Sequence, residues 1–102
     1  MAKQVFITLS ARDDLDNVLL YLAEQWNHSV LENFLALYQA KISLIAEYPT
    51  RYPFIHEKSL LRKAVLSKHN CILYREKPDH IEIISLFDTR QGPDKMSRLL
   101  SE

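Results

Sequence analysis

Basic and apolar residues alternate through the second half of this chain. From Leu60 the order is Leu-Leu-Arg-Lys-Ala-Val-Leu-Ser-Lys-His-Asn-Cys-Ile-Leu-Tyr-Arg75. After a short turn comes Ile81-Glu-Ile-Ile-Ser-Leu-Phe-Asp-Thr-Arg-Gln-Gly-Pro93. Guanidinium and ammonium groups attract negative charge, so strands with one dry face and one basic face predict an anionic or acidic partner. A merely solvated sheet face shows the same alternation, with Arg62 and Arg75 pairing across strands to Glu82, Glu76 or Asp88. The four histidines and the single cysteine show no metal-ligand spacing, so neither a metal nor another cofactor is expected. Cys71 has no neighbouring Asp/His pair and reads as core rather than as a nucleophile. Gly92 is the only glycine, which excludes a Gly-rich phosphate loop.

Composition sets the frame for these groups. At 102 residues the chain is one domain, residues 1–102, because a second core would have too little chain to enclose it. No apolar run approaches the roughly 18 residues of a membrane span, and no signal peptide is evident at the start. One cysteine permits no internal disulfide and fits a reducing cytoplasm, the expected location. The formal net charge of zero hides a division. Residues 1–48 hold three basic and six acidic side chains, residues 49–102 ten and seven. Within 51–77 the count is seven basic against two acidic, so positive charge concentrates at the centre.

The elements that must position these groups follow from periodicity. Val5 to Leu9 alternates and predicts a first strand. Ser10 is a candidate cap for a helix carrying Asp13, Asp14 and Asp16 near its start, where the helix dipole favours acids. Leu15, Val18, Leu19, Leu22 and Trp26 give it one apolar stripe. Asn27-His28 breaks it, and Ser29-Val-Leu-Glu32 reads as the capping box of a second helix. That helix runs to about Tyr48, because Pro49 forbids continuation. It has two stripes, Leu31, Leu35, Tyr38, Ile42 and Ile45, flanked by Val30, Phe34, Leu37 and Leu44. The surplus predicts either a broad buried face or a surface for a partner helix. Residues 49–60 hold two prolines and read as a loop, with Tyr48, Tyr52 and Phe54 near Arg51. Leu61–Ser67, Asn70–Glu76 and Ile81–Phe87 read as an antiparallel meander, and Met96, Leu99 and Leu100 as a helical turn. The expected class is α+β: an N-terminal strand and an αα-hairpin packed on a small antiparallel sheet, in the order β-α-α-β-β-β.

This order resembles the RelE/ParE superfamily of type II toxin–antitoxin toxins, and so do several phrases. Ala11-Arg-Asp-Asp-Leu-Asp resembles the start of their first helix, Tyr21-Leu-Ala-Glu-Gln-Trp its end, and Glu47-Tyr-Pro the end of their second. Leu61-Arg62, Ile72-Leu-Tyr-Arg75 and Ile81-Glu-Ile-Ile-Ser-Leu-Phe-Asp-Thr-Arg90 resemble their later strands. Asp88-Thr-Arg-Gln-Gly-Pro93 looks like the ending of a ParE-like subgroup.

The resemblance implies a growth-inhibiting toxin silenced by a cognate antitoxin. ParE-like members poison DNA gyrase, whereas RelE-like members cleave messenger RNA on the ribosome. If the chain were such a nuclease, Arg62, Arg75 and Arg90 would be the catalytic, phosphate-stabilising residues, with His56 and His69 for proton transfer. Nuclease members often end the last strand with a histidine or tyrosine. Here that end reads Phe87-Asp88-Thr89-Arg90, which favours binding over cleavage. A third alternative is an inactive module that only binds an antitoxin. In each case Phe34, Leu37, Leu44 and Lys63 are the expected partner-binding residues, facing an acidic amphipathic segment.

Overall fold

The structure, a computed structural model, describes residues 2–90 and 93–100, and of residues 93–95 the backbone only. The chain order is β1 (Gln4–Ile7), α1 (Leu9–Gln25), α2 (His28–Glu47), β2 (Phe54–His56), β3 (Leu61–Val65), β4 (Asn70–Glu76), β5 (His80–Asp88) and α3 (Pro93–Leu100). The strands form one sheet in the order β1-β5-β4-β3-β2. Strands β2 to β5 pair antiparallel as the meander predicts, while β1 lies parallel to β5 with Val5 opposite Ile81. The sheet is therefore mixed, and it gains a strand, β2, inside the stretch read as a loop.

The helix ends differ from the expected caps by one or two residues. Thr8, not Ser10, caps α1: its hydroxyl accepts from the Ala11 amide at 3.1 Å and donates to Ile84 O at 3.1 Å. One side chain thus satisfies a free helix amide and ties the helix start to β5. Because α1 begins at Leu9, Asp13, Asp14 and Asp16 lie beyond its first turn, where the dipole has faded. Asn27 caps α2 through the Val30 amide at 3.0 Å, in place of the Ser29–Glu32 box. Glu32 instead pairs with His28 one turn away. The α2 end falls at Glu47, before Pro49 as expected.

Both faces of the sheet are covered. On the first face Tyr38 and Ile45 of α2 and Ala11 of α1 pack against Ala64, Ile72, Tyr74, Ile81, Ile83 and Leu86. On the second, Leu61, Cys71, Leu73, Ile84 and Phe87 pack with Leu99 of α3. Cys71 through Tyr74 and Ile83 through Phe87 are buried without a break, so the expected wet face is absent from the central strands. Unbroken apolar runs such as Cys-Ile-Leu-Tyr are what a doubly covered strand requires. Tyr74 is fully buried, and each such side chain contributes roughly 2 kcal/mol of apolar burial.

The ladder between β4 and β5 shifts register between Leu73↔Ser85 and Tyr74↔Ile83. A bulge of this kind leaves one residue without a ladder partner. That residue is Ile84, and just after it Asp14 of α1 supplies an acceptor. Its Oδ2 accepts from the Ser85 hydroxyl at 2.9 Å and from the Leu86 amide at 3.1 Å. An acid in the Ala11–Asp16 phrase thereby stitches α1 to the end of the sheet.

Candidate functional site

The three candidate catalytic arginines occupy three separate places. Arg62 lies opposite Tyr74 in the ladder and shares the first face with it. Its guanidinium donates to Tyr52 O at 2.6 Å and to Thr50 O at 3.4 Å, and it sits 3.8 Å from the Phe54 ring centroid. Tyr74 helps hold the same loop, its hydroxyl donating to Pro49 O at 2.7 Å. Arg75, one residue on, points to the second face, where its Nε donates to Ser59 O at 2.6 Å. Its Nη2 is buried with no hydrogen-bond partner among the described residues. Arg90, beyond the end of β5, is clasped by Asp88 through contacts of 3.0 and 2.7 Å. Those hydrogen bonds hold the Asp88 carboxyl below the usual aspartate range, against the opposing effect of burial. The Gln91-Gly92 pair that completes this phrase lies outside the described residues.

Two consequences can be measured. Arg62→Ala is expected to cost about 2 kcal/mol in urea unfolding, because two carbonyls lose a charged donor and Phe54 loses its cation. Arg62→Lys is expected to restore less than half of that, since an ammonium lacks the planar fork. Burial pushes the Tyr74 phenol up to about 12, outweighing the nearby Arg62 cation. The stability this group contributes is complete below about pH 10, its unfolded pKa. It is lost as pH rises through about 12, by about 3 kcal/mol in all. Unfolding followed from pH 9 to pH 12 checks this, and Tyr74→Phe is expected to flatten that part of the profile.

Two hollows collect the other candidate residues. The first, about 530 Å³, opens where α1 and α2 meet the ends of β4 and β5. Val18, Leu22, Phe34 and Leu86 give it apolar walls, and Asp14, Asn17, Asn70 and Arg90 supply polar groups. It brings the expected residues Phe34 and Arg90 together, adds Asp14 from the Ala11–Asp16 phrase, and adds Asn17 and Asn70, to which no motif in the sequence gave a site role. Nearby, burial and then the Asp14 charge push the Tyr38 phenol up. The second hollow, about 350 Å³, lies on the other face beneath α3, with Lys63 among Ile55, Cys71, Phe87 and Met96. Burial raises the Cys71 thiol there, opposed by Lys63.

The expected partner-binding residues divide in the same way. Phe34, Leu37 and Leu44 lie on α2, but Lys63 is on the opposite side of the sheet. Phe34 packs against the core, whereas Leu37 and Leu44 are exposed. Half-buried Lys41 and exposed Tyr48 continue the row at helical spacing. Lys41 stands 5.5 Å from the Tyr52 ring centroid and Arg51 5.0 Å from that of Tyr48. The result is an apolar stripe of Leu37, Leu44 and Tyr48 flanked by two cations. His56, an expected proton-transfer group, is engaged by Ser59 at 2.7 Å. Among the described residues no group of three or more His, Cys, Asp or Glu side chains is placed to hold a metal ion. No helix among them is long and apolar enough to cross a membrane.

A comparison with solved structures matches this architecture to a chain of the "Chromosomal ParDE TA system from P. aeruginosa". The TM-score is 0.75 at 13% sequence identity, over 87% of this chain and 98% of the other. The fold is of the ParE type. At that identity the likeness speaks for architecture alone. No family model matches the sequence, and no curated protein matches it.

Proposed function

We propose that the chain is the toxin of a type II toxin–antitoxin pair, a ParE-like protein that arrests growth in the cytoplasm by binding DNA gyrase and is neutralised by a cognate antitoxin. The observation that carries this reading is the ParE-type fold, which spans 98% of the matched ParDE chain. Binding rather than cleavage is favoured by the placement of the arginines. Phosphoryl transfer needs its charged groups gathered within a few Å of one phosphate. Arg62 and Arg75 point to opposite faces, and Arg62, Arg75 and Arg90 are each engaged with the chain's own backbone or carboxylate. The antitoxin is an acidic amphipathic segment whose apolar side lies on Leu37, Leu44 and Tyr48 and whose acids meet Lys41 and Arg51. Phe34 anchors its end at the first hollow, and Lys63 offers a contact to a part that wraps to the second face.

Purified protein is expected to inhibit supercoiling by gyrase, and induction is expected to leave messenger RNA uncut. Codon-positioned cuts on ribosome-bound messenger RNA would replace this reading with the endoribonuclease. Binding to the antitoxin without growth arrest would replace it with the inactive module.

A further inference from the structure

The sheet ends on an edge that no element of the described chain closes. Among the described residues β1 pairs on one side alone, with β5. The Thr8 amide donates to Ile83 O at 3.1 Å, so Phe6 and Gln4, two and four residues back, also turn their amides toward β5. Lys3, Val5 and Ile7 turn the other way. Ala46 O at the end of α2 takes the Lys3 amide at 3.0 Å. The amides and carbonyls of Val5 and Ile7 face outward.

Folded proteins guard such edges with charge, proline, bulges or brevity. The opposite edge, β2, is guarded in three of these ways: it has three residues, follows Pro53 and pairs with a register shift. Strand β1, Gln-Val-Phe-Ile, has no charge, no proline and no bulge. Around it Phe6, Ile7 and Leu9 are 51%, 36% and 78% exposed. The Phe6 ring stands edge-on to His80 at 4.9 Å, on the face away from α1 and α2.

We propose that β1 is the interface of a two-fold homodimer, in which the β1 strands of two copies pair antiparallel and join the sheets into one of ten strands. A two-fold axis at such an edge generates antiparallel pairing. With the axis at Phe6, Val5 of each copy exchanges both hydrogen bonds with Ile7 of the other, satisfying all four outward groups on each strand. The two Phe6 rings then meet across the axis. The occupant is a second copy because the strand carries no charge that would repel its own kind or select a foreign strand. Lys3, the nearest cation, is neutralised by Glu76 at 3.0 Å. The chain's formal net charge is zero, so no long-range repulsion keeps copies apart.

Sedimentation of the full chain, with amide exchange at Val5 and Ile7 read across a concentration series, tests this. A dimer is expected. The two amides are expected to slow by about threefold for a tenfold rise in concentration once dimer dominates, because the monomer fraction falls as the square root of concentration. Phe6→Lys is expected to give a monomer with unchanged circular dichroism and a melting temperature that no longer rises with concentration. A wild-type monomer at every concentration overturns the proposal. So does a dimer whose Val5 and Ile7 exchange ignores concentration, a result that stands even if Phe6→Lys fails to fold.

Discussion

Asp14→Ala is expected to lower the unfolding free energy by about 3 kcal/mol, the largest loss among single polar substitutions considered. The carboxylate holds two donors at the β5 bulge, the Ser85 hydroxyl and the Leu86 amide. Ser85 is fully buried. Removing the acceptor strands both donors in an apolar setting, at roughly 1 to 3 kcal/mol each. In a domain of this size the melting temperature then falls by roughly 15 °C. Asp14→Asn keeps an acceptor of the same shape and is expected to recover about half the loss. The first hollow, lined in part by Asp14 and Leu86, is expected to loosen with the bulge, which exchange of the Leu86 amide reports directly.

The double substitution Leu37→Asp and Leu44→Asp is expected to weaken antitoxin binding by more than about a hundredfold, or roughly 3 kcal/mol. Both side chains are exposed in the free chain, so folding loses little. In the complex each substitution removes apolar contact and sets a carboxylate against an acidic partner. Calorimetric titration with the antitoxin, beside a thermal melt of the free variant, separates lost binding from lost folding. Lys41→Glu is expected to weaken binding less and to reduce its salt dependence, because the ammonium sits at the rim of the stripe.

Periodicity made the architecture legible, while details that hang on a single residue were not. The 3.6-residue stripes and Pro49 mark both helices, and three apolar runs mark the meander. Tyr38, Ile42 and Ile45 were readable as the buried side of α2, since burial of a stripe is a property of many residues at once. The caps moved to Thr8 and Asn27 because Ser, Thr, Asp and Asn all serve, and three-dimensional context chooses among them. Strand β2 was hidden because three residues directly after Pro53 carry too little pattern, and its pairing with β3 is a tertiary fact.

The arginines show the same limit more sharply. One residue of register decides which face a strand side chain takes, so Arg62 and Arg75 separate although the sequence presents both as one basic surface. The positive charge at the centre is real, but Arg62 and Arg75 are committed there to Tyr52 O and Ser59 O, and beyond it Arg90 is clasped by Asp88. The first hollow joins α1, α2 and the strand ends, so only the folded chain brings Phe34 and Arg90 together.

The most direct measurement is viable count after induction of this chain in a bacterial host, with and without the short acidic antitoxin that the toxin reading expects a neighbouring gene to encode. Induction alone is expected to reduce colony formation by at least about a hundredfold, and co-expression of that neighbour to restore it, with the restoration lost in the Leu37→Asp, Leu44→Asp variant. Undiminished growth on induction of a chain shown to be folded and present contradicts the toxin reading.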